Sequence, residues 1–550
     1  MQIIAVSIVD LFLISESESF QDWSMGEVVF CSPNPQAFSS IVQQHLSKTK
    51  ADALLFWDSS FPLPSTNLVE QLLSSTSDVW HAGLKLGLSG KPEIINYVSP
   101  TWMLNRDPDP DQEATSWRLS LRACLFRTEV LRQMGGPDPA FETLDCAGLE
   151  LGFRCIRAGV FMRYVPDLLP TVSEQHSEEI PLLDQLRFVR LGFDRKWVKW
   201  ASFRRFFDKP QELFSIIRAQ KEIQDTAVQK TKTIYKRTLP DSVKLQHARV
   251  SVLIPTIRRY PYLRTLLSQL REQTIIPHEI IVVDQTPQSE RDLDLPKDFG
   301  DLPVRWIYLD QAGQCSSRNK GLKKASGDFI LFVDDDDEVP PDLIERHLEN
   351  LFLYQCSVSS GVALEPGQKE LPEDFRFLRL SDVFPTNNTM IRKGILEKSG
   401  LFDLAYDHGQ RADHDLGMRL YLAGEMMVLD PSICVLHHHA PMGGLREHKA
   451  RVDTYAKSRT SVSHFSLLTV SDLYLAKRYF TPSQVKHMQF INLLGTFSFH
   501  GSGWRKFAKA WVALFSLPKN IHILNKRGRV ADQWLHTYPQ IPFEQLGDLP

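Results

Sequence analysis

Cysteine is scarce and scattered in this chain of 550 residues. The seven cysteines are odd in number and form no C-x-x-C pair, so the sequence predicts neither a disulfide framework nor a zinc site. Apolar runs near 18 residues are missing too, which argues against membrane-spanning helices. The apolar segment from Ile3 to Ile14 is interrupted by Asp10 and lacks a basic flank, so we interpret it as a strand and not as a signal peptide. A cytoplasmic protein with reduced thiols is expected.

An excess of charge of either sign is also absent. The formal net charge is -3, which argues against a general nucleic-acid binder. What the chain does have is 43% hydrophobic residues, enough for packed cores, and a length typical of three or four domains.

The stretch from Gly327 to Asp342 combines an apolar strand with a run of carboxylates. Phe329–Val333 is continuously apolar, as in a strand that is buried on both faces, and Asp334 to Asp337 follow it directly. Four adjacent carboxylates repel one another, and a hard divalent cation offsets that repulsion. Ligands bind at the carboxyl ends of strands in open parallel sheets. The stretch therefore predicts a cation site, with a solubilising acidic loop as the alternative.

Strands and helices alternate from Val250 onward. An apolar run at Val250–Thr256 is followed by a helical pattern and then by a second run at Glu279–Asp284. This alternation predicts a parallel α/β sheet, with Pro255, Thr256 and Asp284 at the carboxyl ends of strands. A further strand and a loop that opens a helix lead into the acidic stretch.

These motifs together resemble the family 2 glycosyltransferases with the GT-A fold. The matching features are the strand ends Ile-Pro-Thr256 and Val-Val-Asp284, the Ser-Arg-Asn-x-Gly321 loop, the Asp-rich D-x-D and the segment Ala412–Arg419, in the family's order and spacing. The resemblance spans residues 250 to 449. It implies a mostly parallel sheet flanked by helices, a nucleotide-diphosphate sugar as donor, a hydroxyl acceptor, and Mn²⁺ or Mg²⁺ as cofactor.

The first third of the chain repeats parts of this pattern. A shift of 276 residues places 51–58 on 327–334, so that Asp58 coincides with Asp334. A shift of 265 aligns identical residues at nine positions, namely Arg127, Gly135, Asp138, Leu151, Gly152, Arg154, Ala158, Gly159 and Pro166. We infer a second copy of the same fold. We expect it to begin at the equivalent of the strand that ends at Asp284 and to lack the strand and helix before it.

The first copy has lost the charged residues of the second. Five residues of the second copy change, with Ser59, Ser60 and Phe61 replacing Asp335, Asp336 and Asp337, Val42 replacing Arg318, and Gly148 replacing Asp413. The predicted organisation is a degenerate, non-catalytic GT-A-like domain (1–177), a helical connector (178–245), a catalytic GT-A domain (246–450) and a helical C-terminal region (451–550).

The resemblance assigns residues to the nucleotide sugar. Pro255 and Thr256 would border the nucleotide, and Asp284 would accept a hydrogen bond from the base or ribose. Arg318 would reach the base or a phosphate with its fork of donors, or else form a salt bridge within the loops. Asp334 and Asp335 complete this group.

Metal binding is assigned to the D-x-D and to the histidines after it. Asp336 is the expected direct ligand and Asp334 the second, although a run of four carboxylates leaves the register open to Asp335 and Asp337. In His437-His-His439 neighbouring side chains face opposite sides of a strand, so His437 and His439 could converge on one site. Histidines that only cap the strand are the alternative. The loop from Gly443 to His448 is expected to close over the nucleotide.

Asp413 is the expected catalytic base. The family has an acidic pair here, whereas this chain has Ala412 before Asp413; Asp415 is expected to pair with Arg419 instead. Asn387 and Asn388 precede the base and are expected to donate to acceptor hydroxyls. A base on the acceptor side in a single displacement would invert the anomeric centre, as the resembled family does.

Function is therefore expected in polysaccharide or glycolipid biosynthesis, with a glycan or a lipid-linked acceptor. The rivals are a nucleotidyltransferase and a non-catalytic carbohydrate-binding scaffold. Two segments raise the prospect of peripheral membrane contact at the inner face: the aromatic and basic residues 193–207, and a tail in which Trp504, Ala508, Trp511 and Phe515 share a helical face. Ordinary packing between domains is the alternative for both.

Overall fold

The structure is a computed structural model. It describes residues 7–15, 22–98, 101–170, 178–193, 195–223, 233–237, 245, 248–441, 443, 455–501 and 503–538. The strands are β1 (Val9–Ile14), β2 (Val28–Cys31), β3 (Ala53–Asp58), β4 (Val79–His81), β5 (Ala114–Thr115), β6 (Ala123–Arg127), β7 (Met162–Tyr164), β8 (Val250–Thr256), β9 (Glu279–Asp284), β10 (Val304–Tyr308), β11 (Phe329–Val333), β12 (Asp337–Glu338), β13 (Val358–Leu364), β14 (Arg379–Leu380), β15 (Asn388–Arg392) and β16 (Met427–His437).

The helices flank the sheets and make up the connector and tail. They are α1 (Pro35–Leu46), α2 (Thr66–Ser74), α3 (Trp102–Asn105), α4 (Thr128–Met134), α5 (Leu144–Arg157), α6 (Leu182–Gly192), α7 (Arg195–Asp208), α8 (Leu213–Ile223), α9 (Tyr260–Arg271), α10 (Leu295–Asp298), α11 (Gln314–Lys324), α12 (Leu343–Leu353), α13 (Leu396–Ser399), α14 (Ala412–Leu422), α15 (Tyr455–Thr460), α16 (Val470–Tyr479), α17 (Pro482–Gly495) and α18 (Trp504–Thr537). The predicted α/β class, with two copies, a helical connector and a helical tail, is confirmed.

The C-terminal sheet is mixed: most of its strands run in one direction, and β12, β14 and β15 run against them. Its strand order is β10-β9-β8-β11-β15-β13-β16-β12, with β14 beside β16. The first four strands are parallel, as the alternation of strands and helices predicts. β15 then runs antiparallel to both β11 and β13. The sequence pattern misses this reversal because short strands outside the alternating segment carry no sign of their direction.

The N-terminal sheet has the order β2-β1-β3-β6-β4-β7-β5. β1 lies between β2 and β3 and is parallel to both, as β8 lies between β9 and β11. The first copy therefore begins at the equivalent of β8, and the expectation that it begins at the equivalent of β9 is wrong. The link from β1 to β2, residues 15–27, is shorter than the link from β8 to β9, residues 257–278, so a single shift of 276 residues set β1 against the wrong strand. A counterpart of β10 does not extend this sheet within the described residues.

The residues that the copies share are structural. The guanidinium of Arg127 donates to the carbonyl oxygens of residues 73, 75 and 77, and that of Arg392 donates to those of residues 351 and 356. Gly135 and Gly400 end equivalent helices with φ of 76° and 73°, a conformation that favours glycine. These two shared identities thus belong to the scaffold and not to a shared site.

An ion pair on the same helix also recurs in both copies. Arg419 contacts Asp415 at 2.9 Å across one helical turn, as the spacing predicts. Arg154 contacts Glu150 at 2.9 Å at the equivalent place in α5. Because Asp415 is buried and has this partner, it belongs to the scaffold of α14.

The two copies pack directly against each other beside α14. Trp102 in α3 of the first copy lies on Gly417 of the second, where an added Cβ would come within 2.2 Å of the indole Cη2. The indole also meets the His414 ring edge-on, with centroids 6.3 Å apart. The Tyr421 hydroxyl donates to the carbonyl oxygen of Arg106 at 2.9 Å. The first copy therefore supports the helix that carries Asp413.

The aromatic and basic residues of α7 divide between packing and exposure. Trp200 donates to the carbonyl oxygen of Tyr97 at 2.9 Å and stacks on Phe490 of α17, with ring centroids 5.6 Å apart. Phe203 and Phe207 remain largely exposed. Packing between domains thus explains only part of the segment. No helix among the described residues combines the length and the apolar character needed to cross a membrane.

Candidate active site

Strand ends from four parts of the chain meet at one edge of the C-terminal sheet. The pairing of β8 with β9 places Thr256 beside Asp284. β16 runs back to this edge and ends with His437 opposite Asp337. β15 begins there with Asn388. The sheet thus brings together most of the residues that the sequence assigns to the nucleotide sugar and the metal.

Asp335 is buried against the end of β8. One carboxylate oxygen accepts a hydrogen bond from the Thr256 hydroxyl at 2.7 Å, and the other accepts one from Arg259 Nη1 at 2.9 Å. Burial raises the pKa of Asp335 to about 7, and the charge of Asp336 adds to this effect while Arg259 opposes it. Asp335 therefore fixes Thr256 and Arg259 in place. Pro255 is half-buried beside them.

Asp336 is buried, at 1% exposure. Its Oδ2 accepts a hydrogen bond from the main-chain N–H of Ala440 at 2.7 Å. Its Oδ1 lies 3.0 Å from Arg259 Nη1 but receives no hydrogen bond from a described residue. One oxygen is therefore anchored by a hydrogen bond. The other has only ion-pair partners, Arg259 and His437, whose place a metal cation could take.

His437 and His439 lie side by side next to this carboxylate, with ring centroids 4.2 Å apart. His437 Nδ1 contacts Asp337 at 2.8 Å, and His439 Nε2 contacts Glu365 at 2.9 Å. Burial by itself would lower the pKa of His437, but Asp337 outweighs burial and raises it to about 9. A metal ligand must be neutral imidazole, so the ligand role of both histidines stays a prediction that requires a change in these contacts.

Arg318 reaches across the site to the first aspartate of the run. Its Nη2 donates to Asp334 Oδ1 at 3.0 Å and to the Thr386 hydroxyl at 3.3 Å. Asp334 is the most exposed of the four, with 28% of its side chain accessible. The salt bridge considered as the alternative for Arg318 is present, and both partners sit where a ligand could displace it.

The side-chain amide of Asn388 is committed to the scaffold. Its Nδ2 donates to the carbonyl oxygens of Val362 and Ile433 at 2.8 and 3.1 Å, and its Oδ1 accepts from His347 Nε2 at 2.9 Å. These bonds use the whole buried amide to join neighbouring strands and a helix. The predicted acceptor role therefore does not fit Asn388. Asn387 is half-buried, and for it the role stays a prediction.

Asp284 is 1% exposed and held on both sides. The Tyr260 hydroxyl donates to its Oδ2 at 2.7 Å, and the N–H of Thr286 donates to its Oδ1 at 2.9 Å. Burial raises the pKa of Tyr260 to about 12, and the adjacent carboxylate contributes to that shift. A hydrogen bond from a base or ribose would have to share these acceptors, so nucleotide contact by Asp284 stays a prediction.

Asp407 closes the start of α11, the helix that carries Arg318. Its Oδ1 accepts from the N–H groups of Cys315 and Ser316, both at 2.8 Å. A Cβ at Gly313 would lie 2.2 Å from the same carboxylate, so only glycine fits at the cap position. A carboxylate from a distant loop thus caps the helix N-terminus, where negative charge is favoured.

Asp413 opens α14 and is held by its neighbours. Arg411 Nη1 lies 3.1 Å from His414 Nε2, which leaves His414 Nδ1–H to donate to Asp413 Oδ1 at 2.9 Å. Burial by itself would raise the pKa of Asp413, but His414 and Arg411 hold it below its usual range. Because 37% of the side chain is accessible, an ionised carboxylate faces solvent at the first turn of the helix.

A divalent cation fits this arrangement. No cluster of three or more His, Cys, Asp or Glu side chains among the described residues is arranged to hold a metal. Mg²⁺ and Mn²⁺ sites that serve phosphates, however, typically use one or two carboxylates and leave the other positions to phosphate oxygens and water. Asp336, with its available Oδ1, and the accessible Asp334 satisfy that pattern.

Three residues of the site were missed from the sequence. Arg259 contacts two carboxylates of the run, Tyr260 holds Asp284, and Asp407 caps α11. The basic pair Arg258-Arg259, one residue after Thr256, was a usable signal for Arg259, since a positive side chain at a strand end suits a phosphate. Asp407 carried no signal, because its partners are 91 and 92 positions away. Except for Gly443, the predicted closing loop up to His448 lies outside the described residues.

Comparison with known proteins identifies the segment that forms this site. The family model described as "Glycosyl transferase family 2" matches residues 251–394. The uncharacterized glycosyltransferase YwdF of Bacillus subtilis is 29% identical over 168 residues, which cover 28% of this chain and 62% of YwdF.

Two relatives have more specific names. The poly(ribitol-phosphate) beta-N-acetylglucosaminyltransferase TarS of Staphylococcus aureus is 25% identical over 184 residues, which cover 31% of this chain and 32% of TarS. The hyaluronan synthase of Pasteurella multocida is 25% identical over 254 residues, which cover 38% of this chain and 26% of the synthase. The chain covers less than two thirds of the length of each of these three relatives.

Proposed function

We propose that this chain, a member of glycosyltransferase family 2 by the match of residues 251–394, carries out an inverting, metal-dependent transfer of a sugar from a nucleotide-diphosphate sugar to a hydroxyl acceptor. The observation that carries the proposal is the Asp336 carboxylate. It is buried at the strand ends with one oxygen anchored and the other without a hydrogen bond from a described residue.

Donor binding falls to the edge formed by β8, β9 and β11. Pro255, Thr256 and Asp284 would border the nucleotide. Asp336, with Asp334, would hold Mn²⁺ or Mg²⁺, which supplies Lewis-acid stabilisation of the leaving diphosphate when bound. Arg259 adds a fixed positive charge on the same side. An incoming diphosphate would compete with Asp335 and Asp336 for that guanidinium, because phosphate oxygens accept its paired donors equally well.

Deprotonation of the acceptor falls to Asp413. Its lowered pKa keeps the carboxylate ionised at neutral pH, and the contact with His414 fixes its orientation. Asn387 would hold the acceptor hydroxyl beside it. With the base and the leaving diphosphate on opposite faces of the sugar, a single displacement inverts the anomeric centre.

The names of two relatives favour a polymer acceptor. TarS acts on poly(ribitol-phosphate), and the hyaluronan synthase is named for a polysaccharide. We therefore place the reaction in the synthesis of a cell-envelope polysaccharide or glycolipid, with a glycan or lipid-linked acceptor, at the cytoplasmic face of the membrane.

For the first copy we propose a supporting role without catalysis. Trp102 packs on α14 and against His414, so it braces the helix that carries the base. Replacement of Trp102 by Leu is expected to reduce kcat about 10-fold while the KM for the donor stays within twofold. A rise in the donor KM as large as the fall in kcat, or an unchanged kcat, would contradict this role.

Donor binding tests the proposal directly. Thermal-shift measurements with UDP, GDP, CDP, ADP and dTDP, each with and without Mn²⁺, should show one nucleotide that stabilises the chain by several degrees only with the metal. EDTA should reverse the shift. With that donor, NMR of the product should show the opposite anomeric configuration. The absence of a shift with every nucleotide would contradict the proposal.

The two rival functions predict different products. A nucleotidyltransferase would release pyrophosphate from a nucleoside triphosphate, and a carbohydrate-binding scaffold would release nothing. Within the described residues, β8 is followed by Ile257 and Arg258 with no glycine-rich phosphate loop, which favours the transferase. Slow release of nucleoside diphosphate from the sugar donor without acceptor would exclude both rivals.

A further inference from the structure

The first half of α18 carries its apolar face outward. Trp504, Phe507, Trp511 and Phe515 follow one another at intervals of three or four residues and are 73%, 72%, 60% and 77% exposed. Side chains at this spacing share one side of a helix. In an ordinary surface helix the apolar side faces the protein, so this arrangement is reversed.

The opposite side of the same helix is the one attached to the protein. Lys509 and Ala513 are 0% exposed. The Lys509 ammonium donates to the carbonyl oxygens of Ser458, Ser461 and His464 at 3.0, 2.9 and 2.7 Å. Because the charged residue faces inward and is fully hydrogen-bonded, the helix cannot turn its aromatic side inward without breaking these bonds.

The charge around the aromatic side has one sign. From Gly503 to Lys519 the sequence contains four Lys and Arg residues and no Asp or Glu, and of the four only Lys509 faces inward. Arg505 and Lys506 flank Trp504 and Phe507 and are exposed, and Lys519 is exposed one turn beyond Phe515. A basic surface of this kind complements an anionic one.

We propose that this face, defined by Trp504, Phe507, Trp511 and Phe515, docks on the surface of an anionic lipid bilayer. Tryptophan and phenylalanine insert at the level of the headgroups, and the flanking basic residues contact lipid phosphates. Pro518 breaks the hydrogen-bond ladder just after the aromatic face, so the two halves of this 34-residue helix can differ in direction. This proposal does not depend on the proposed sugar transfer.

Vesicle co-sedimentation of the full chain tests the proposal. Wild type is expected to bind vesicles of phosphatidylcholine with phosphatidylglycerol and to bind phosphatidylcholine alone at least about 10-fold more weakly. Binding should weaken as salt is raised. The variant Trp504→Ser/Phe507→Ser/Trp511→Ser/Phe515→Ser should lose at least about 100-fold in affinity. Arg505→Glu/Lys506→Glu should lose about 10-fold.

The matched control replaces exposed aliphatic residues elsewhere. Ile276 and Leu293 are 57% and 66% exposed on the C-terminal copy, and Ile276→Ser/Leu293→Ser should bind vesicles like wild type. Turnover of a soluble acceptor should be the same in the aromatic variant and in wild type, which separates this test from that of the transferase activity.

Two results would overturn the proposal. The first is wild type that stays in solution with anionic vesicles, or that binds them equally well after the aromatic face is removed. The second is a concentration-dependent dimer, seen by sedimentation velocity, that the aromatic variant converts to a monomer. That result would assign the face to a second copy of the chain.

Discussion

The two copies place an aspartate at the end of the same strand and give it a different arginine. In the second copy Asp334 pairs with Arg318 of α11 at 3.0 Å, and both face the site. In the first copy Asp58 pairs at 2.7 Å with Arg122, which stands where the second copy has Asn387. The position of Arg318 is taken by an aliphatic residue in the first copy, so its arginine approaches from the other side.

The first copy closes the edge that the second copy keeps open. Arg122 also contacts Glu178 and lies 3.7 Å from Asp145, so one cation joins three carboxylates. At Gly148, the counterpart of Asp413, an added Cβ would lie 2.9 Å from the carbonyl oxygen of Leu119. There is therefore no room for a base. The same scaffold therefore supports an accessible polar edge in the second copy and, in the first copy, an edge covered by the ion pairs of Arg122.

The largest expected effect is the difference in activity between substitutions at Asp336, after β11, and at Asp58, at the end of β3. Asp336→Asn should lower kcat/KM by about 10⁴-fold, because it removes the anchored carboxylate and with it several kcal/mol of charge stabilisation. Asp58→Asn should leave kcat/KM within about twofold. Steady-state kinetics of both variants decide this. If the Asp58 variant lost as much as the Asp336 variant, the first copy would take part in catalysis.

The second test concerns the base. Asp413→Asn should lower kcat by about 10³-fold, because an amide cannot accept the proton of the acceptor hydroxyl. Donor affinity should be unchanged in thermal-shift titrations, since Asp413 opens α14 and is absent from the hydrogen-bonded strand ends. Loss of donor binding instead would place Asp413 on the nucleotide side.

The two arginines should fail in different ways. Arg318→Ala should lower turnover about 10²-fold with little change in melting temperature, since its carboxylate partner can meet solvent. Arg122→Ala should lower the free energy of unfolding by about 3 kcal/mol, because it leaves carboxylates with little solvent access without their cationic partner. The folded protein should keep its turnover. Melting curves and kinetics on both variants check the pair. If Arg122→Ala lost turnover while its melting temperature stayed unchanged, the purely structural role of Arg122 would be contradicted.

Each copy also contains a buried neutral histidine. Burial lowers the pKa of His81 and of His347 to about 4, from the usual 6.5. The unfolded chain therefore binds more protons below pH 6.5, and stability present above that pH is lost as pH falls toward 4. Each histidine should lower the free energy of unfolding by about 2 kcal/mol between pH 7.5 and pH 5.

The variants His81→Gln and His347→Gln test this expectation. Melting temperatures measured from pH 7.5 to pH 5 should fall less steeply in either variant than in wild type. An unchanged slope in both variants would contradict the assignment of neutral buried imidazoles.

Much of the scaffold could be read from the order of residues. The strands at 250–256, 279–284 and 329–333 and the pairing of Asp415 with Arg419 follow from local patterns, because strand period and helical spacing are properties of neighbouring residues. The direction of β15 and the entry point of the first copy did not follow. Both depend on the lengths of connections, which hydrophobic patterns do not record.

The candidate site was predicted as a set of residues but not as a set of contacts. Asn388 lies in a polar stretch that suits an acceptor site, and only the sheet shows its amide bonded to Val362, Ile433 and His347. Arg259 and Asp407 act on partners more than 70 positions away. No local pattern identifies such pairs, because long-range contacts are set by how strands and helices pack.

The sequence by itself determined where the charged residues are: four consecutive aspartates after one strand of the second copy, and Ser59, Ser60 and Phe61 after its counterpart in the first. That difference needs no folding to be visible. The tertiary structure decided what each of the four contacts, because it buries Asp335 against Thr256, ties Asp337 to His437 and leaves one oxygen of Asp336 without a hydrogen bond from a described residue. Adjacent side chains look alike in a sequence, and only the surrounding strands give each one a different neighbour.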